Sequence, residues 1–199
     1  MTYKYRQELY SSIRFTWQTS YCIAVLAMIL LFVAQVNAAP EPIIYDYSSQ
    51  EYSNDDFSWI IASDGTAVIT YCNNEDATSI EIPEKLNGYN VSRIGYLEEY
   101  EEGSYEFCQP IPTEVQTISV ESDSQYFTAH NGVLYSKDKT VIYRYPAGNS
   151  TTSFSIPAGV KLIFHKSFNN SSKLTSVTIP SDVTEIGLQA FEDCKKLTS

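Results

Sequence analysis

The side chains that could carry catalysis are few and scattered. The 199-residue chain has two histidines, His130 and His165, and four cysteines. A cysteine nucleophile needs a base and an orienting group converging on it. No spacing around Cys108 provides them, and no His/Cys cluster has the spacing of a zinc site. His130 stands beside the Asn131-Gly132 pair, and His165 lies between Ile163 and Phe168. Both read as surface or structural residues. Glu98-Glu99-Tyr100-Glu101-Glu102 gathers carboxylates of the kind calcium favours. It lacks the alternating acidic order, closed by glycine, that would wrap them round one ion. It reads as a solvated acidic loop. The expectation is a protein that is not an enzyme and holds no cofactor or metal. Cys22 lies in an apolar leader, which leaves Cys72, Cys108 and Cys194. An odd, sparse set argues against a disulfide framework. These cysteines read as small buried apolar residues, and a single Cys72–Cys108 bridge is the alternative.

Binding chemistry has more to draw on. Ser79 and Glu81, Thr117 and Ser119, Ser153 and Ser155, and Ser176 and Thr178 occupy alternate positions of four short β-branched runs. Alternation turns them to one face while their neighbours turn inward. The result is a ladder of small hydroxyls with one acid at its N-terminal edge, suited to hydrogen-bonding an extended peptide or a glycan. Thr and Ser also simply suit an exposed strand, and the ladder has no aromatic anchor. The aromatic residues gather instead between Glu121 and Gly148, at Tyr126, Phe127, Tyr135, Tyr143 and Tyr145. Some of these must be core, and any exposed ones are the better anchors.

The elements that position these residues form a repeat. Phe154-Ser-Ile-Pro157, Val160, Ile163 and Phe168 recur as Val177-Thr-Ile-Pro180, Val183, Ile186 and Phe191. Leu174 pairs with Leu197 in the same phase, and Ser171 with Cys194, every pair 23 residues apart. The spacing extends back to Val115, Ile118 and Val120, and to Ala77, Ile80 and Ile82. That makes four units, with a fifth opening at Leu197. Within a unit the run ending in proline is a strand, since proline cannot donate to a ladder. Val183 and Ile186 drop inward, Gly187 adopts a conformation other residues resist, and Leu188 to Lys196 predicts a short helix or 3₁₀ segment. No unit closes a core alone, so units stack with strands in parallel. The predicted fold is a solenoid over residues 57–199, opened by a hairpin around Asp64-Gly65. The insert 121–148 breaks the period, and its two turn signals predict an antiparallel meander projecting from one edge. After Pro83 an expansion, Glu84 to Tyr89, displaces the next apolar residues.

The N-terminus addresses the chain to the cell's exterior. Lys4, Arg6 and Arg14 precede the apolar stretch Cys22 to Val36, and Val36-Asn37-Ala38 suits a signal peptidase. At about 15 residues the stretch is short for a spanning helix, which needs roughly 20. Residues 1–38 therefore read as a signal peptide, and the membrane enters only if it stays uncleaved. Residues 39–56 read as an acidic, tyrosine-rich linker. The leader removes three basic residues and Glu8 from totals of 13 and 24, leaving 10 basic against 23 acidic, a net charge of −13. That charge repels phosphate backbones, so nucleic acid is not an expected partner. Asn90, Asn149, Asn169 and Asn170 head glycosylation sequons.

Leu174-Thr-Ser-Val-Thr-Ile-Pro-Ser-Asp-Val-Thr-Glu-Ile-Gly-Leu-Gln-Ala-Phe-Glu-Asp-Cys-Lys-Lys196 resembles the repeat of BspA-type leucine-rich-repeat surface proteins. Asn131 to Thr140, Arg144 to Gly148 and Asp64 to Tyr71 are similar to other elements of that family. The resemblance implies a leucine-rich-repeat stack, secretion or surface display, and adhesion to an extracellular protein or glycan; it transfers no catalytic set. The second unit departs from the pattern at Glu98 to Glu102. The alternatives are a structural spacer or remnant of a larger surface protein, and an accessory repeat domain of an exported hydrolase. Because Leu197-Thr-Ser199 repeats Leu174-Thr-Ser176, the sequence stops as a fifth strand begins. The expectation is a truncated stack, prone to self-association through an uncapped C-terminal edge.

Overall fold

The computed structural model describes residues 49–101 and 104–198, with the side chains of 98–101 and 104–106 left aside. The expected signal peptide and the start of the linker lie outside the described residues. The rest of the linker does not behave as one. Glu51–Ser53 is a strand (β1) pairing antiparallel with β2, Phe57–Ile61. Tyr52 stacks on Trp59 with centroids 6.0 Å apart, and Thr70 donates to Glu51 at 2.8 Å. The side-chain oxygen of Asn54 accepts from the amides of Asp56 and Phe57, which turns the chain between the strands. The predicted hairpin follows: β2 pairs antiparallel with β3, Ala67–Cys72. Asp64 takes hydrogen bonds from both the amide and the hydroxyl of Thr66, and Gly65 sits at φ +78°, where glycine carries no penalty.

The solenoid proper has two strand-bearing faces. One face carries β4 (Ser79–Ile82) and, after the first turn, β9 (Thr117–Val120), then β13 (Ser153–Ser155) and β15 (Ser176–Thr178). Between β4 and β9, β5 (Lys85–Leu86) and β6 (Tyr89–Ile94) form a hairpin across Asn87-Gly88, both at positive φ. That hairpin is the structural meaning of the expansion after Pro83. β7 (Tyr96–Glu101) and β8 (Ser104–Cys108) pair antiparallel. The acidic stretch is therefore a strand through Glu101 and not a loop; Glu102 lies outside the described residues. The second face carries a five-stranded sheet of β10 (Phe127–His130), β11 (Val133–Ser136), β12 (Val141–Arg144), β14 (Leu162–Ile163) and β16 (Glu185–Ile186), in that order. A separate sheet of order β1-β2-β3-β6-β5 opens the domain.

The predicted helix does not form, and no helix occurs among the described residues. Two features oppose it. Lys166 and Asn170 lie at φ 49° and 62°, and their counterparts 23 residues on, Gln189 and Asp193, at 53° and 55°. A left-handed residue cannot continue a right-handed helix. The amides of Lys166, Phe168 and Asn170 also donate across to the carbonyls of Leu188, Ala190 and Glu192, so groups a helix would satisfy internally join one turn to the next. Gly187 is needed for a different reason than conformation. A Cβ there would sit 2.6 Å from the His165 amide nitrogen, so glycine allows adjacent turns to close.

The meander exists with the expected turn, Asn131 and Gly132 at φ 52° and 76°, but it does not project. β12 pairs parallel with β14 (Val141↔Leu162), which pairs parallel with β16. The insert thus supplies a rung of the second face. Its side chains alternate between two apolar clusters. Leu134, Val141 and Tyr143 face the N-terminal core with Phe57, Ile80 and Ile118. Val133, Tyr135, Ile142 and Tyr145 face the repeat core with Ile156, Ile163 and Phe168. A strand buried on both sides reads as a near-continuous apolar run, which Val141-Ile-Tyr-Arg-Tyr145 is, apart from one charge.

Candidate functional site

The hydroxyl ladder is on the surface and in the expected register. Ser79 lies opposite Thr117 and Glu81 opposite Ser119, in a parallel pair. Ser153 lies opposite Ser176 and Ser155 opposite Thr178 in another. All eight are exposed except Ser176, which is half-buried, while Ile80, Ile82 and Ile118 between them are buried. The ladder is not continuous. β4–β9 and β13–β15 are separate two-stranded sheets, because β9 has the meander as its other neighbour: the amide of Ile118 donates to the Gly132 carbonyl. A Cβ on Gly132 would fall 2.7 Å from the Thr117 hydroxyl, which shows how closely the turn rides on that strand. The face therefore divides into an acidic patch around Glu81 and a neutral patch around Thr178. Only Ser119 spends its hydroxyl inside the fold, donating to the Ile80 carbonyl at 3.3 Å.

The aromatic residues of the insert do not flank this face. Phe127, Tyr135, Tyr143 and Tyr145 are buried, and Tyr126 is half-buried. Tyr145 stacks on Phe168 and meets Phe154 edge-on, and Phe127 and Phe164 both contact Tyr143 edge-on. They are core rather than anchors, since the meander lies between two apolar clusters instead of standing clear of them. Burial pushes the Tyr135 phenol up to about 12. Among the described residues the exposed aromatics are Tyr71 and Tyr89, which sequence reasoning missed. Tyr71 has a legible signal, the odd position in a strand whose other residues are buried.

The remaining candidates for chemistry stay apart. His165 accepts from the Leu188 amide through Nδ1 at 2.9 Å and packs on Phe107 and Phe164, a structural role. His130 is exposed at its turn. The alternative Cys72–Cys108 bridge is not formed. Burial pushes the Cys72 and Cys194 thiols up, away from the thiolate that nucleophilic chemistry needs. Cys72 is buried as expected, but Cys108 and Cys194 are only partly so. At the last turn Ile179, Ile186 and Leu188 are exposed.

Residues 142–199 match the family model described as the BspA type leucine rich repeat region. No curated protein matches the chain. Among solved structures, a leucine-rich repeat protein of Eubacterium ventriosum is 31% identical, with a TM-score of 0.46, over 58% of this chain and 27% of its own. The pneumococcal vaccine antigen PcpA is 26% identical, with a TM-score of 0.49, over 61% and 26%. A leucine rich cell surface protein of Faecalibacterium prausnitzii is 17% identical, with a TM-score of 0.37, over 76% of each chain. The chain spans about a quarter of the length of the first two.

Proposed function

With residues 142–199 being BspA-type leucine-rich repeats, we propose that the chain is an exported, surface-displayed or secreted protein that binds an extracellular protein or glycan through its strand face. The observation that carries this reading is the exposed ladder: outward Ser and Thr in parallel register, alternating with buried Ile80, Ile82 and Ile118 in one sheet and with half-buried Phe154 and Val177 in the other. Paired short hydroxyls at strand spacing offer donors and acceptors to an extended chain laid across them. Each such hydrogen bond contributes little net free energy, so affinity comes from repetition along the face. The leader supports export. With the insert's aromatics in the core, the strand face takes over the role that exposed rings there would have had.

A spacer role is the competing reading, favoured by one observation: none of the eight ladder positions is aromatic. Purified protein on immobilised extracellular matrix proteins and on a glycan array separates the two. The expected result is a specific signal that the double substitution Thr117→Lys, Ser155→Lys abolishes without lowering the melting temperature. Retention of full binding by that variant, or no binding to any surface, would overturn the strand-face reading. N-terminal sequencing of the exported protein tests the leader, with a mature chain beginning at Ala39 expected.

A further inference from the structure

Tyr71 is the exception in its strand. It is 45% exposed, while every other residue of β3 is buried. It does not lie loose on the surface. Its hydroxyl donates to Oε1 of Glu75, four residues on and also exposed. That bond holds ring and carboxylate together as one polar-aromatic unit. It draws electron density toward the phenol oxygen and so deepens the negative face of the ring, the face that attracts cations. The same bond raises the pKa of Tyr71, so the ring stays uncharged at neutral pH and Glu75 carries the charge of the pair.

Both residues line a cleft of about 380 Å³, whose other walls include Pro110, Ile111 and Pro112. The volume is at the small end of the range for ligand sites, which runs from roughly 300 to 1,000 Å³. The loop that carries these apolar walls is stiff. Each proline fixes its own φ, and the side-chain oxygen of Gln109 accepts from the Ile111 amide at 3.3 Å. Two charged residues border the cleft among those described, and only one is open to a ligand. Arg144 is 1% exposed and bonded to the backbone carbonyls of Lys166 and Asn169, so it is shut away behind the wall. Glu75 is exposed.

Apolar walls, one open carboxylate and an electron-rich ring together select a cation carried on an apolar stem. We propose that this cleft takes a lysine side chain of a partner protein, its ammonium at Glu75 and its methylene stem along Tyr71 and Pro112. A lysine stem covers apolar surface while its head stays near water. Tyr71 already engages one oxygen of the carboxylate. The other suits a point charge, whereas the guanidinium fork of arginine binds best to two free oxygens. The net charge of −11 draws cationic partners from a distance. The cleft uses none of the eight ladder residues, so its failure would leave the strand-face reading untouched.

The test titrates the full chain with acetyl-lysine methylamide and follows the tyrosine rings by nuclear magnetic resonance. The norleucine counterpart, with the stem but no charge, and the arginine counterpart are the controls. The lysine compound should shift the ring signals of Tyr71, assigned through Tyr71→Phe, and the norleucine compound should leave them in place. The arginine compound should bind more weakly than the lysine compound. Glu75→Gln should weaken lysine binding about two- to fivefold, the usual worth of an exposed ion pair. Tyr71→Ala should weaken it by about the same factor through loss of the ring face. Both residues are exposed, so both variants should keep the parent melting temperature. Added salt should weaken binding as well. An unmoved Tyr71 ring, an equal response to the norleucine compound, arginine binding as tight as lysine, or binding indifferent to Glu75→Gln would each overturn the proposal.

Discussion

Two successive turns of the solenoid share a residue pattern and differ in what covers them. Ile156 and Ile179 hold the same repeat position, yet one is 4% exposed and the other 42%. Ile163 and Ile186 are 0% and 52% exposed. Phe168 is buried, and Phe191, stacked on it at 4.9 Å, is half-buried. Chemistry and backbone path are shared, so the difference lies in the neighbours. The turn of Ile156 is covered on both sides; the turn of Ile179 is covered on one among the described residues. Burial here is a property of stacking, and each repeat completes the core of the one before it.

The sharpest way to break that comparison is to remove the other neighbour. Replacing Glu121–Gly148 with a short Gly-Ser link takes away β12, the rung beneath β14, and Tyr135, Ile142 and Tyr145 from the repeat core. The expected outcome is loss of cooperative unfolding in urea, because each of these large side chains alone contributes about 2–5 kcal/mol. A folded stack with an unchanged midpoint would show that the insert is a surface appendage after all.

Less drastic is the pair Phe168→Ala and Phe191→Ala. The first should cost about 3–5 kcal/mol, in line with emptying a fully packed site. The second should cost roughly half that, since part of the ring already meets solvent. Ile163→Ala against Ile186→Ala should show the same ordering. Equal losses in denaturant melts would mean that stacking does not set the burial.

The period, the register and the orientation of the ladder were legible because they depend on side-chain alternation and spacing alone. Ser176 to Thr178 falls opposite Ser153 to Ser155 as the 23-residue offset requires. The missing helix was not legible, since Lys166, Asn170, Gln189 and Asp193 are residues of ordinary helix or turn character, and the bonds that carry Lys166 and Asn170 across to the next turn are not written in local sequence. The role of the insert escaped for a related reason. Its strands alternate like those of any meander, and nothing local says that Val141 will pair with Leu162. Arg144 was visible as a charge in an apolar run, but its bonds to the backbone carbonyls of Lys166 and Asn169 are a fact of three dimensions.

A pH experiment compares the two cores in another way. The N-terminal core contains Tyr143, and the repeat core contains Tyr135. Burial raises both phenols, Tyr135 to about 12 and Tyr143 well above its ordinary value. A raised folded-state value means that folding favours the protonated form. Stability is therefore complete below the unfolded value near 10 and declines as pH rises toward 12. The decline should be about 1 kcal/mol per pH unit for each buried phenol. Urea midpoints measured between pH 8 and 11 should fall, and Tyr135→Phe with Tyr143→Phe should flatten the fall. A midpoint independent of pH over that range would place these phenols in contact with water.

The smallest expected effect on stability carries the most information about function. Ser155→Ala and Thr178→Ala remove hydroxyls that face outward from paired positions, and each should change stability by under about 0.5 kcal/mol. Neither hydroxyl is committed inside the fold, in contrast to Ser119, which donates to Ile80; Ser119→Ala should therefore cost about 1 kcal/mol. If the strand face binds by repetition, the two outward substitutions together should reduce affinity about tenfold, at roughly 0.7 kcal/mol apiece. The acidic patch around Glu81 provides the internal comparison. Its partner strands are separated from β13 and β15 by the meander, so a ligand on the neutral patch should be indifferent to Glu81→Gln. A ligand that loses affinity equally from Glu81→Gln and Thr178→Ala would have to span both patches, and the break in the ladder would then have no functional consequence.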